Sequence, residues 1–261
     1  MFEKRPVALL FDVFGTCVDW RKTVTSTLQH EYALVKSKTN TTGTPDMSDD
    51  DWGLFAQQWR NSYKQFIASV WQKEEGEFKT IDEHHLDSLK ELLVQWRLEG
   101  IWDDNKIKEL SLIWHYLDPW ADTSEGITAL NQLTQTATLS NGNTSLLEDL
   151  CKHAKMEMKY IFSAETFKHY KPHSATYLGA VGKVGAKPEE VAMVAAHLND
   201  LQVANHYGLK TIYVARAQEE DWDQEKVEKT RQEGWVDIWI EEGEDGFLQV
   251  AQHLARLQSG S

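Results

Sequence analysis

Five short apolar runs set the tightest limit on the fold: VALLF (7–11), ATLS (137–140), VAMVAA (191–196), TIYVA (211–215) and VDIWI (236–240). A strand covered on both faces reads as such a run, because neither side of its pleat meets water. The stretches between the later runs have helical spacing. They are SLLEDLCKHAKM (145–156), HSATYLGAVGKVG (173–185) and LQVANHYG (201–208), which closes on Gly208. Strands alternating with helices predict βαβ units and a parallel sheet in an α/β fold.

Residues 21–117 read differently and hold no convincing strand. DWGLFAQQWRNSYKQFIASVWQK (51–73) places Trp52, Phe55, Trp59, Tyr63, Phe66 and Val70 three or four apart, which predicts an amphipathic helix capped by Asp49 or Asp50. LDSLKELLVQWRLEG (86–100), ending at Gly100, and KIKELSLIWHYL (106–117) predict two more. TNTTGTPDMSDD (39–50), with Pro45, reads as a polar loop, and the terminal LARLQSGS as a tail fraying after a last helix. The pattern therefore predicts a Rossmann-like parallel core from residues 1–20 and 118–261, with a helical domain, 21–117, inserted after the first strand. A chain of 261 residues, 41% hydrophobic, is long enough for such a core and insert.

The formal net charge of −14 opposes binding to nucleic acid or anionic membranes, so neither is expected as a partner. No window approaches the roughly 20 apolar residues of a membrane span. The start, MFEKRPVALLFDVF, lacks the long apolar stretch and small-residue cleavage site of a signal peptide. Cys17 and Cys151 alone make neither a disulfide framework nor a four-ligand zinc site. A soluble cytoplasmic protein is expected.

In open parallel sheets ligands bind beyond the carboxyl ends of the strands. Polar clusters stand at such ends here. Asp12 follows VALLF; Ser140, Asn141 and Gly142 follow ATL; His197, Asn199 and Asp200 follow VAMVAA. HYKPHSATY (169–177), with Lys171 and Tyr177, follows IFSAETF. Taken singly, each has a plain alternative: Asp12 as a turn former, Ser140-Asn141-Gly142 as an ordinary turn, Lys171 as a surface lysine, Asp200 as a helix cap. Their convergence on one sheet edge predicts an active site.

These stretches, FDVFGT (11–16), LSNG (139–142), YKP (170–172) and AAHLND (195–200), resemble in order and placement the four motifs of the haloacid dehalogenase superfamily. The resemblance runs over nearly the whole chain. It implies that Asp12 is a nucleophile and that the helical insert is the superfamily's cap domain. The large phosphatase branch carries a second acid two residues after the nucleophile, where it protonates the leaving alcohol and helps to bind Mg²⁺. Here that position is Phe14, which can do neither. A halide leaving group needs no proton, so Phe14 fits displacement of halide from carbon. QQWRNSY (57–63) resembles the Trp-Arg pair of the L-2-haloacid dehalogenase branch and makes Arg60 the residue that receives substrate or halide.

The resemblance thus implies hydrolysis of short 2-haloalkanoic acids to 2-hydroxy acids through an aspartyl ester. Asp12 attacks, Lys171 keeps it ionised, and Arg60 and Asn141 receive the halide. The backbone amides of Val13 and Phe14, with Thr16 and Ser140, hold the substrate carboxylate. Water positioned by His197 and Asp200 cleaves the ester, and Tyr177 supports the site from behind. No metal and no organic cofactor is required, and a homodimer is implied. The branch often carries serine and asparagine where this chain has Ala195 and His197. His197 therefore has two readings, a group orienting the hydrolytic water or acting as its base, and a satisfied buried histidine beside Asp200. The aromatics Trp52, Phe55, Trp59 and Phe66 are expected to enclose a small, dry pocket for short acids. The rival reading is a Mg²⁺-dependent phosphatase or phosphonatase on the same fold.

Overall fold

The computed structural model describes residues 2–38, 45–71 and 79–257. In chain order, strand β1 (Ala8–Phe11) is followed by helices α1 (Trp20–Lys38), α2 (Asp49–Trp71), α3 (Ile81–Gln95) and α4 (Asp104–Ser111), and by a 3₁₀ turn, Leu112–His115. The remainder alternates: α5 (Thr123–Asn131), β2 (Gln135–Ser140), α6 (Thr144–His153), β3 (Tyr160–Ser163), α7 (Ala164–Phe167), α8 (Ser174–Lys183), β4 (Val191–Ala195), α9 (Leu198–His206), β5 (Lys210–Val214), α10 (Gln224–Glu233), β6 (Ile238–Ile240) and α11 (Gly246–Ala255). These elements fall into two compact units, Met1–Asp19 with Pro119–Ser261, and Trp20–Asp118.

The first unit is built on a six-stranded sheet of order β3-β2-β1-β4-β5-β6, parallel throughout. The expectation of a parallel α/β fold holds. The sheet carries one strand more than the five apolar runs, because β3 lies at its edge and begins on the exposed Tyr160. One sheet face buries Leu10, Ala137, Leu139 and Met193 against Tyr177 and Val181 of α8 and Leu201 of α9. On the other, Phe11 meets Phe247 of α11 edge to face at 5.1 Å. Gly126 of α5 lies so close to α11 that a Cβ there would stand 2.4 Å from Phe247. Strand β1 sits between β2 and β4, with Phe11 in register with Thr138 and Val194. The chain reverses its direction of winding there, which opens a crevice beyond Phe11.

The second unit is helical. Its first helix, α1, is absent from the sequence expectations, since threonines and serines dilute its pattern. Its buried stripe nonetheless recurs every fourth residue: Trp20, Val24, Leu28 and Tyr32. Helix α2 starts two residues before the expected Asp51, and neither Asp49 nor Asp50 caps it. Ser48 does: its Oγ accepts from the Asp51 N–H at 3.2 Å, while the Asp51 carboxylate accepts from the Ser48 N–H at 2.8 Å. This reciprocal pair satisfies two donors that a helix start leaves unpaired. Helix α3 begins at Ile81, ahead of the expected Leu86, because Thr80 and Glu83 form the same kind of box. It stops at Gln95, short of the expected Gly100.

The aromatic stripe of α2 makes the core of this unit. Trp52 packs on Tyr32 and Trp102, and Phe55 on Trp96. The Trp59 indole N–H donates to Ser88 Oγ and to the His85 carbonyl of α3, at 3.1 and 3.2 Å. Phe66 stacks on His84. Trp52, Phe55 and Trp59 are fully buried among α1, α3 and the segments after α3 and so do not line an open pocket, whereas Phe66 is only half-buried. Helical period identifies an apolar face, and α1 and α3 cover this one. Of the expected polar loop, residues 45–48 are described and are not helical; its residues 39–44, and 258–261 of the terminal tail, lie outside the described residues.

Candidate active site

The crevice beyond β1 gathers a buried ring of charge. Asp12 is the first residue after β1, and its Oδ1 accepts from Lys171 Nζ at 2.8 Å. The same ammonium donates to Asp200 Oδ2 at 2.5 Å, and the Tyr177 hydroxyl donates to Asp200 Oδ1 at 2.5 Å. On its other side, Asp12 Oδ2 accepts from Thr16 Oγ1 at 2.8 Å and lies 3.2 Å from His197 Nδ1. Asp12, Lys171 and His197 are each 9% exposed. The carboxyl ends of β1 and β4, adjacent and parallel, bring Asp12 beside His197, and Lys171, from the turn before α8, bridges Asp12 to Asp200.

Local structure fixes each member. The turn after Asp12 closes with Cys17 N–H donating to the Val13 carbonyl at 2.8 Å, and Gly15 N–H to the Val18 carbonyl at 3.1 Å. Thr16 Oγ1 also accepts from the Ala196 N–H at 2.9 Å, which ties this turn to the end of β4. Lys171 is held through its backbone: its N–H donates to Asn141 Oδ1 at 2.6 Å, and the Asn141 amide donates back to its carbonyl at 3.4 Å. Asn141 therefore serves Lys171 in the structure. Ser140 Oγ accepts from the Gly142 N–H at 3.3 Å, and the buried Phe14 ring faces Gly142.

Two acids and an arginine belong to this neighbourhood and are absent from the sequence expectations. Glu219 is buried, and its Oε2 lies 3.4 Å from His197 Nε2, so the imidazole spans Asp12 and Glu219. Glu220 accepts from the Leu198 N–H at 2.9 Å, at the start of α9. Arg216 forms a two-pronged pair with Asp122, at 2.5 and 2.9 Å, and its Nε donates to the Thr16 carbonyl at 3.0 Å. All three lie just past the carboxyl end of β5, so the strand-end rule applied to TIYVA points to them.

The electrostatics follow from these contacts. Burial alone pushes the Asp12 carboxyl up, but the Lys171 ammonium and the His197 contact outweigh it and hold Asp12 well below the usual carboxylate range. Burial opposes the charge on Lys171, while Asp12 and Asp200 drive its pKa above the usual lysine value. For His197 burial likewise opposes protonation, and the Asp12 and Glu219 contacts overcome it, raising the pKa from 6.5 to about 9. Burial and Asp200 push the Tyr177 hydroxyl well above 10, so it stays a neutral donor. With Asp12 ionised, the two carboxylate contacts favour the protonated form of His197, in which the ring holds no lone pair to take a proton.

The raised His197 pKa predicts a pH-dependent stability. The contribution is complete below the unfolded value of 6.5 and is lost as pH rises through about 9; at full strength it is at most about 3 kcal/mol. The depressed Asp12 carboxyl adds stability that is lost only as pH falls below the ordinary carboxylate range. Urea midpoints of wild type and His197→Gln between pH 6 and 10 are expected to converge toward the alkaline end. A gap constant with pH would contradict the ion pairing.

Arg60 belongs to the helical unit. It is buried there, with its guanidinium 4.8 Å from the Tyr63 ring and 5.8 Å from the Trp20 ring. Among the described residues no helix is long and apolar enough to cross a membrane, and no group of three or more His, Cys, Asp or Glu is arranged to hold a metal ion.

A parallel sheet with a charge-paired aspartate at its switch point defines the class of protein, an α/β protein with an aspartate-centred polar site. The chain belongs to the haloacid dehalogenase-like hydrolases, whose family model matches residues 7–208. Its relatives include (S)-2-haloacid dehalogenase 4A of Burkholderia cepacia, 30% identical over 60% of this chain and 64% of that protein. The (S)-2-haloacid dehalogenase of Pseudomonas putida is 25% identical over 44% of this chain and 52% of its own. The matches thus span less than two thirds of these relatives' lengths. Similar solved structures include the defluorinating L-2-haloacid dehalogenase Rha0230, 30% identical, covering 96% of this chain and 95% of its own with a TM-score of 0.79. The L-2-haloacid dehalogenase PA0810 is 32% identical, covering 95% and 98%, with a TM-score of 0.76.

Proposed function

We propose that this chain hydrolyses short (S)-2-haloalkanoic acids to 2-hydroxy acids through an ester on Asp12, without a metal. One observation carries the reading. A carboxylate kept anionic by Lys171, His197 and Thr16 stands at the crevice, and Phe14 occupies the position of a second acid. A carboxylate that is ionised but largely dehydrated is a competent nucleophile toward carbon. Without an acid at 14, an alkoxide leaving group would find no proton donor there, whereas a halide needs none. The Lys171 ammonium bridges Asp12 and Asp200 and supplies positive charge beside the nucleophile. The names of the relatives agree with this reading.

In the first step an Asp12 oxygen bonds to C2 of the substrate, and the carbon–halogen electron pair leaves with the halide. The backbone amides of Val13 and Phe14, with Thr16 and Ser140, bind the substrate carboxylate. Arg60 and Asn141 serve the halide. Arg60 is buried among aromatic rings in its own unit, the dry setting in which a cation attracts an anion most strongly. In the second step water attacks the ester carbonyl, Asp12 is restored and the 2-hydroxy acid departs. Tyr177 fixes Asp200, and Asp200 fixes Lys171. The helical unit acts as the cap, and the family resemblance supports a homodimer.

The test is halide release from chloroacetate, fluoroacetate and both enantiomers of 2-chloropropionate, with EDTA and with Mg²⁺. Release from the (S)-enantiomer that survives EDTA is expected. Phosphate release from phosphate esters that depends on Mg²⁺, with no halide release, would overturn the reading.

A further inference from the structure

The contacts of His197 reach past a positioning role. Its imidazole is buried, with Nδ1 on the Asp12 carboxylate and Nε2 on the Glu219 carboxylate. Glu219 is seated with little slack, since a Cβ on Gly15 would fall 1.9 Å from its Oε2. One of the two anions that keep His197 protonated is therefore the nucleophile itself. Forming the ester converts that anion into a neutral group while the histidine stays in place.

Resting on the aspartyl-ester reading, we propose that His197 is a cation in the free enzyme and becomes the base for ester hydrolysis once Asp12 is alkylated, with Glu219 as its positioning residue. The protons balance. In the first step the C–X bond breaks, the Asp12–carbon bond forms, and the His197 imidazolium, deprived of the Asp12 charge, gives one proton to solvent. In the second step water attacks Asp12 Cγ. One water proton goes to His197 Nδ1 and the other to the departing alkoxide, and the Cγ–oxygen bond to the substrate breaks. The product is the 2-hydroxy acid, and Asp12 returns as an anion facing a protonated His197. Each turnover thus releases one halide and one proton, and the proton leaves with the halide, ahead of hydrolysis. The His197 pKa of about 9 beside an ionised Asp12 agrees with this order, and loss of that charge lowers it toward neutrality. The charged groups facing the imidazole are Asp12 and Glu219, with Lys171 beyond Asp12 and Glu220 at the start of α9.

A single-turnover experiment tests this order. Enzyme in excess is mixed with (S)-2-chloropropionate in weak buffer at pH 7.5, and halide, protons (by an indicator dye) and the mass of the intact protein are followed. Halide release by wild type tests the dehalogenase reading by itself; its absence would fail that reading and this proposal with it, whereas halide release with the wrong proton order would fail this proposal alone. Wild type is expected to release its proton with the halide. His197→Asn is expected to release one halide with no accompanying proton. It should then accumulate protein heavier by the propionate residue, and turn over about 100-fold more slowly, as loss of a general base does. Glu219→Gln should accumulate the same adduct with about 10-fold slower hydrolysis, and Glu219→Asp should restore part of the rate. A proton appearing after the halide in wild type would overturn the proposal, as would a His197→Asn enzyme that turns over without accumulating an adduct. The order of proton and halide release in wild type tests the proposal even where a variant fails to fold.

Discussion

Asp12→Asn is expected to lower halide release by at least about 10⁴-fold, the scale on which loss of a covalent nucleophile acts. The amide keeps the volume of the carboxyl but cannot form the ester. The fold should survive. Lys171 retains Asp200, and His197 retains Glu219, so neither buried cation is left without an acid. The cost is expected to be about 1–3 kcal/mol, read from urea unfolding at pH 7, below the 3–5 kcal/mol of a buried charge stripped of its sole partner. With the Asp12 charge gone, the His197 pKa should fall, and with it much of the alkaline decline in stability. The wild-type counterpart is isotopic. After one turnover in ¹⁸O-water, the 2-hydroxy acid should carry an unlabelled oxygen, because that oxygen comes from Asp12. Label in the first product would exclude the ester route, and substantial halide release by Asp12→Asn would remove Asp12 from the chemistry.

How much of this was legible in the chain follows from the range of the forces involved. Strands β1, β2, β4 and β5 stand out because a parallel strand buried on both faces must be apolar along its length. Strand β3 does not, since it begins on the exposed Tyr160 and only its last two residues are buried. Asp12, Lys171, Tyr177, His197 and Asp200 do gather beyond the first strand, where the strand-end rule put them, and Thr16, which only the family resemblance named, joins them. Glu219 escaped because a glutamate in a chain with 41 acidic residues reads as solvated surface. Only the packing of the turn after β5 against the turn after β1 buries it. The aromatic stripe of α2 shows the opposite failure. Its spacing marked a helix with an apolar face, but spacing carries no information about whether a ligand or a neighbouring helix covers that face.

Gly15→Ala is expected to disable the enzyme without removing any charged group. Gly15 has φ +84°, in the left-handed region, where an L side chain costs about 1–2 kcal/mol. The space is also taken, because the new Cβ would stand 1.9 Å from Glu219 Oε2 and 2.6 Å from its Cδ. The flexible glutamate is the part that can yield, so the carboxylate is expected to swing away from His197 Nε2. The fold then loses about 2–3 kcal/mol, from backbone strain together with a weakened buried ion pair. The functional loss should exceed what strain alone explains and take a particular form. Halide release in the first turnover should persist, because Asp12 keeps Lys171 and Thr16. Ester hydrolysis should slow by about 10-fold or more, as for a mispositioned general base, and the Asp12 adduct should accumulate as in Glu219→Gln. The double variant Gly15→Ala, Glu219→Gln should be little slower than either single variant, since both act by emptying the same place. Additive losses in hydrolysis rate would show that Gly15 acts through the turn after Asp12 and not through Glu219.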